Sequence, residues 1–301
     1  MPLPLIERYR DRLPVSDSTP IVSLGEGGTP LLAAPRLSEL VGAELWLKCE
    51  GLNPTGSFKD RGMTLAVSKA LEDGATTVVC ASTGNTAASA AAYAARAGLP
   101  AIIAFPAGAV AAGKLAQARA VGAELREIDG SFDDSLAVAR ELTSRPGHVL
   151  VNSLNPFRVQ GQKTAAFEIV EDLGRAPDVL ALPYGGGGNM HAYALGFSEV
   201  GTVPRLLAAE AADRRATLAS AIRIGQPVHG SEVEEDARRF GGAVVSLSDD
   251  EILAARRQLG ELEGVFCEPA SAAGVAAVAR ERPQGVVVCV ITGHGLKDPS
   301  A

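Results

Sequence analysis

The chain has 301 residues, enough for two domains and a large core, and 47% of them are hydrophobic while only 4% are aromatic. A net charge of −7 without a basic patch argues against nucleic acid as a partner, and four scattered cysteines and four histidines without ligand spacing argue against a metal site. No apolar run approaches the roughly 18 residues of a membrane helix, and residues 1–11 lack a signal-peptide pattern, so a soluble cytoplasmic protein without membrane partners is expected.

Residues 2–20 form a polar lead-in, and 23–30 (Ser-Leu-Gly-Glu-Gly-Gly-Thr-Pro) a glycine-rich loop. A short helix is predicted over Arg36–Val41 and a strand over Glu44–Cys49. Next comes the stretch Asn53-Pro54-Thr55-Gly56-Ser57-Phe58-Lys59-Asp60-Arg61-Gly62. Its first four residues read as a turn, because proline presets φ and glycine takes conformations other residues avoid. Ser57 is expected to cap a helix from Phe58 to about Asp73, with Gly74 as its stop. Lys59 then sits in a first helical turn, where the helix dipole disfavours an ammonium and lowers its pKa. An amine of that kind suits Schiff-base chemistry with an aldehyde.

A strand–helix rhythm follows: strand Thr77–Ala81, helix Thr86–Ala97, strand Ala101–Phe105, helix from about Gly113 to Val121, strand Glu124–Ile128 and helix Phe132–Thr143. Leu150-Val151 continues it, then one long helix Pro156–Leu173, strand Val179–Leu182 and a helix to about Gly196. The pattern weakens between Ala211 and Gly242, where charge rises. It resumes with strand Ala243–Leu247, helix Asp249–Leu262 behind a Ser248/Glu251 capping signal, helix Pro269–Arg280 and strand Gly285–Ile291. Such alternation implies an α/β fold with parallel sheets and helices on both faces.

Three loops open helices at strand ends. Gly185-Gly186-Gly187-Gly188-Asn189 bares backbone N–H groups toward a positive helix end, as a phosphate dianion requires. Ser82-Thr83-Gly84-Asn85-Thr86 offers hydroxyls and N–H groups that suit a carboxylate. Thr292, in Ile291-Thr292-Gly293-His294-Gly295, places a hydroxyl at the end of the last strand.

The string Ser57-Phe58-Lys59-Asp60-Arg61-Gly62 resembles the lysine motif of fold type II, tryptophan-synthase-β-like enzymes that use pyridoxal 5'-phosphate. The resemblance narrows with Leu24–Pro30, Ala81–Thr86, Val151-Asn152-Ser153-Leu154-Asn155-Pro156-Phe157-Arg158, Phe266-Cys267-Glu268-Pro269-Ala270-Ser271-Ala272 and Thr292–Pro299, which together look like the threonine synthase family. It implies two open twisted α/β domains with the cofactor in a cleft between them, a smaller mobile one over 50–145 and a larger one over 1–49 and 146–301. It also implies conversion of O-phosphohomoserine and water to threonine and phosphate by a cytoplasmic homodimer. Lys59 would carry the cofactor and move protons. Asn85 would bond its phenolic oxygen, Gly185, Gly186, Gly187, Gly188 and Asn189 its phosphate, and Thr292 its pyridine nitrogen. Ser82 and Thr83 would hold the substrate carboxylate, and Arg158, Asn152, Ser153 and Thr86 the substrate phosphate, since guanidinium binds phosphate in a forked geometry.

The chain departs from the resemblance twice. Family members carry an asparagine within the glycine run, and a longer excursion where this chain has Ala212-Asp213-Arg214-Arg215. A serine/threonine dehydratase of the same fold, needing no second phosphate site, is the alternative enzyme. A non-catalytic homologue that binds the cofactor is the alternative of another class.

Overall fold

The computed structural model describes residues 3–108 and 115–298. In chain order the strands are β1 (Leu31–Ala33), β2 (Glu44–Lys48), β3 (Thr77–Ala81), β4 (Ala101–Pro106), β5 (Glu124–Ile128), β6 (His148–Leu150), β7 (Val179–Pro183), β8 (Arg205–Ala211), β9 (Ala243–Leu247) and β10 (Val286–Val290). The helices are α1 (Leu5–Arg8), α2 (Pro35–Val41), α3 (Lys59–Glu72), α4 (Asn85–Arg96), α5 (Ala116–Ala120), α6 (Phe132–Leu142), α7 (Pro156–Gln162), α8 (Thr164–Leu173), α9 (Gly188–Glu199), α10 (Gly230–Arg239), α11 (Asp249–Glu263) and α12 (Ala273–Glu281). The chain divides into two compact units: Met1–Gly27, Asn53–Thr55 and Lys59–Gln162 form the first, and Gly28–Leu52, Gly56–Phe58 and Lys163–Ala301 the second.

The first unit is built on a four-stranded parallel sheet in the order β5-β4-β3-β6. Every residue of β3 and β4 is buried, as a parallel strand covered on both faces requires. Because successive side chains alternate, Val78 and Cys80 face α3 and α4, while Val79 and Ala81 pack with Ala139 and Leu142 of α6. α3 and α7 cross where both present glycine. A Cβ on Gly161 would overlap the Arg61 carbonyl oxygen, and one on Gly62 would lie 2.6 Å from that of Arg158. Any larger residue there forces the helices apart, an overpacking that costs about 1–3 kcal/mol.

The second unit holds a six-stranded sheet in the order β1-β2-β10-β7-β8-β9, parallel except for the edge strand β1. Leu47, Ala181, Leu207, Val245 and Cys289 face α2, α11 and α12. Leu180, Leu182, Leu206, Val288 and Val290 face α8, α9 and Val233 of α10. This is a doubly wound α/β architecture. Lys48, fully buried, pairs with Glu168 at 2.9 Å and donates to the Thr29 carbonyl at 2.7 Å, so its charge does not stand alone.

Several expectations need correction. The single helix expected over Pro156–Leu173 is two, parted at Lys163, where the Ala166 N–H reaches back only three residues to the Lys163 carbonyl. The helix expected over Pro269–Arg280 begins as a 3₁₀ turn, Pro269–Ala272, before α12. α5 is shorter than the helix expected from Gly113, and Gly113, Lys114 and Pro299 lie outside the described residues. The Ser248/Glu251 capping box is present, each residue's side chain accepting from the other's backbone N–H.

Candidate active site

The lysine turn is held by a buried carboxylate. Asp60 accepts from the Thr55 N–H at 2.7 Å, the Thr55 hydroxyl at 2.6 Å and the Ser89 hydroxyl at 2.6 Å. Burial pushes its carboxyl up to about 6, against the pull of those bonds. Ser57 does not cap the helix as expected: its hydroxyl is buried and makes no hydrogen bond among the described residues. The backbone of Ser57 instead bridges Gly293, and the Phe58 N–H donates to the Thr292 carbonyl at 3.0 Å. Lys59 is the first residue of α3.

Arg158, on α7, is only 1% exposed. One guanidinium nitrogen donates to the Val151 carbonyl at 2.9 Å, while Nε lies against Gly62 with no hydrogen-bond partner among the described residues. Burial pulls its pKa down to about 10, which leaves it charged at neutral pH. The charges of Arg158 and Lys59 both reach Cys80 on β3, lowering a thiol pKa that burial pushes up to about 12. Both cations therefore lie near the end of one strand. A fully desolvated cation attracts an anion far more strongly than a surface one.

Ser82, Thr83, Gly84, Asn85 and Thr86 are half-buried at the junction of β3 and α4. Gly84 is the N-cap residue and no side chain caps the helix, so α4 turns its first N–H groups to this loop. Asn152 uses its amide differently from a ligand donor. Its Oδ1 accepts from the Ala81 N–H at 2.9 Å and its Nδ2 donates to the Ala81 carbonyl at 2.8 Å, so it prolongs the β3–β6 pairing with a side chain. Ser153 follows it, half-buried.

In the second unit, β2, β10 and β7 are adjacent and parallel, so their C-terminal ends share one edge. With neighbouring strands about 4.8 Å apart, the three ends span roughly 10 Å. β2 leads to the 3₁₀ turn Glu50–Leu52, β10 to Thr292 and β7 to the glycine loop. Ligands of open α/β sheets bind beyond the carboxyl ends of the strands. Thr292, 5% exposed, has its hydroxyl 2.9 Å from that of Ser271, which accepts the Gly293 N–H at 2.7 Å.

Gly187 is the N-cap of α9 at φ +88°, a conformation glycine alone takes freely. A Cβ on Gly187 would lie 2.7 Å from the His229 carbonyl oxygen and one on Gly185 3.1 Å from the Ile222 Cα, so the loop is packed from behind. The Asn189 Nδ2 is buried without a hydrogen-bond partner among the described residues. Behind the loop His191 and His229 stack, ring centroids 6.3 Å apart, each ring also held by a carboxylate: Asp236 at 2.9 Å and Glu232 at 3.2 Å. The bond to Asp236 outweighs desolvation and raises the pKa of His191.

These features fit pyridoxal phosphate. The Asn189 amide and the Ser57 hydroxyl are buried polar groups that a bound ligand would satisfy, and the loop before Asn189 has no side chain to fill it. Asp60, Ser271 and Arg214 bond to these segments, and sequence reasoning does not single them out. An acid directly after the lysine, within reach of the turn's hydroxyl, is the one local signal that points to Asp60.

The chain matches the family model of pyridoxal-phosphate dependent enzymes over residues 22–293. It is similar to proteins named threonine synthase: 52% identical to that of Synechocystis sp., covering 98% of this chain and 83% of that one. The similarity is 50% to that of Mycobacterium bovis (98% and 89% covered) and 44% to that of Methanosarcina acetivorans (98% and 81%). Among solved structures it superposes on a threonine deaminase from T.th., with TM-score 0.75, 27% identity, and 88% of this chain and 92% of that one covered. Maize serine racemase gives TM-score 0.78 at 25% identity, covering 89% and 88%. This chain is a pyridoxal-phosphate dependent enzyme of fold type II and belongs to the threonine synthase family.

Proposed function

We propose that the protein converts O-phospho-L-homoserine and water to L-threonine and phosphate. The observation that carries this reading is Arg158, a charged, fully buried guanidinium near Lys59, in a chain whose glycine loop suits a different dianion. A substrate that brings its own phosphate to a cofactor with another needs two anion sites. The relatives at 44–52% identity support the same reaction.

When bound, pyridoxal phosphate supplies an electron sink for charge developing at the substrate's amino-bearing carbon. Lys59 would hold it, and its Nζ is the group that would take and return protons at the substrate carbons. Gly185–Gly188 and Asn189 would bind the cofactor phosphate, Asn85 its phenolic oxygen and Thr292 its ring nitrogen. A hydroxyl at that nitrogen does not hold a proton there as a carboxylate would, which favours elimination and replacement over transamination. Ser82 and Thr83 hold the substrate carboxylate. Arg158, with Ser153 and Thr86, holds the leaving phosphate, and Asn152 fixes the loop start beside them. The assembly is a homodimer, which sedimentation of the purified protein tests.

Phosphate release from O-phosphohomoserine, run beside serine and threonine as rival substrates, tests the reaction. Turnover of phosphohomoserine alone is expected, with Arg158→Ala lowering it on the order of a hundredfold. The likeness to a threonine deaminase favours a second reading as a dehydratase. Ammonia release from threonine, undiminished in Arg158→Ala, would replace the first reading with the second.

A further inference from the structure

The glycine loop is gripped from behind by an arginine outside every motif. Arg214 Nε donates to Glu210 at 2.8 Å and Nη2 forms an ion pair with the same oxygen at 2.5 Å. Nη1 donates to the Gly185 carbonyl at 3.2 Å and to that of Ile224 at 3.3 Å. The guanidinium lies 4.2 Å over the Tyr184 ring. One planar fork thus ties the end of β7, the first loop glycine, β8 and the segment after Ile222. Lysine, a point charge on a flexible stem, cannot make these contacts together.

The grip decides where the loop's N–H groups point. Every described peptide bond is trans, and in a trans unit the carbonyl and the next N–H point opposite ways. The Gly185 carbonyl is turned to Arg214 and the Gly186 carbonyl to the His229 N–H at 3.0 Å. The N–H groups of Gly186 and Gly187 are therefore directed away from these anchors. We propose that Arg214 is a positioning residue for the glycine loop: by holding the Gly185 carbonyl it aims the Gly186 N–H at the cofactor phosphate. This rests on the reading of the loop as the phosphate cradle. Glu210 pairs the charge of Arg214, so the effect is one of orientation rather than added field.

The test uses a ligand with and without the phosphate. Holoprotein of wild type, Arg214→Met and Arg214→Lys is stripped of cofactor and titrated with pyridoxal phosphate and, separately, with pyridoxal. Binding is followed by the visible absorbance of the lysine-bound aldehyde. Arg214→Met is expected to weaken pyridoxal phosphate about tenfold, the loss of one hydrogen bond to a charged group, and to leave pyridoxal within about twofold. Arg214→Lys falls between. Glu210→Gln, which frees the fork while keeping the arginine, shifts the same way by about threefold and serves if Arg214→Met does not fold. Equal losses for both ligands, or none for pyridoxal phosphate, would overturn the proposal. A wild type that binds pyridoxal as tightly as pyridoxal phosphate would instead overturn the cradle reading, and the proposal with it.

Discussion

The lysine turn and the glycine loop are fixed by opposite means. Around Lys59 the scaffold works through side chains: a buried carboxylate gathers Thr55 and Ser89, and a crossing of two glycines brings Arg158 against α3. Around Gly185–Gly188 it works through backbone: the carbonyls of Gly185 and Gly186 are held from outside, and the loop has no side chains of its own. On the proposed reading, the amine of Lys59 is placed by its neighbours' functional groups, and the amides of the glycine loop are kept clear of side chains and turned toward an anion. The first therefore depends on titratable groups, and the second on steric room.

Mutations probe each half of that contrast. The largest effect is expected from Lys59→Ala: phosphate release falls on the order of a thousandfold or more, borohydride no longer fixes the cofactor to the chain, and the fold is unchanged by circular dichroism. Cofactor still fixed to the chain by borohydride in that variant would remove the amine from the account. Gly161→Ala comes next. Its new Cβ meets the Arg61 carbonyl, so urea unfolding should report a loss of about 2–3 kcal/mol, and a neutral result would mean the helix crossing has slack.

Asp60 supplies a pH test. Its folded pKa is raised above the ordinary value, so the folded state binds the proton more tightly than the unfolded. Stability from this group is greatest at low pH, falls as pH rises from the ordinary carboxylate range to about 6, and is flat above. Asp60→Asn should remove that slope, and parallel urea midpoints for wild type and variant between about pH 4 and 7 would contradict it. The smallest effect is expected from His191→Gln. The raised pKa of His191 means its bond to Asp236 stabilises below the ordinary histidine pKa and fades as pH rises through the folded value. The imidazole is partly exposed, so melting-temperature differences should correspond to under about 1 kcal/mol and vanish at high pH.

The strands with continuous apolar runs, β3, β4, β7 and β10, are legible in the sequence because burial on both faces favours Val, Ile, Leu, Ala and Cys. The glycine and threonine segments are legible because each sits at a strand end marked by glycine, and the lysine segment because a Pro-Thr-Gly turn precedes it. β1 is not, being a three-residue edge strand with two exposed side chains. Nor is α10, where six of ten residues are charged and only Val233 and Ala237 are buried. Its helix follows from docking rather than from a stripe of its own. Ser57 reads as a cap because a serine before a helix is a common local signal, whereas the carboxylate that fixes this turn acts from within the helix. The grip of Arg214 on Gly185 joins residues 29 apart and leaves no periodic trace.

The polypeptide passes between the two compact units at 27/28, 52/53, 55/56, 58/59 and 162/163. Neither unit is an uninterrupted length of chain, so no single proteolytic nick liberates either one free of segments of the other. A gene fragment ending at residue 27, 52, 55 or 58 would leave both units unfinished, whereas one ending at 162 would carry every segment of the first unit together with stranded pieces of the second, 28–52 and 56–58. Fragments ending at or before residue 58 should accordingly be aggregated or degraded, and a fragment ending at 162 should carry β1 and β2 cut off from the rest of their sheet.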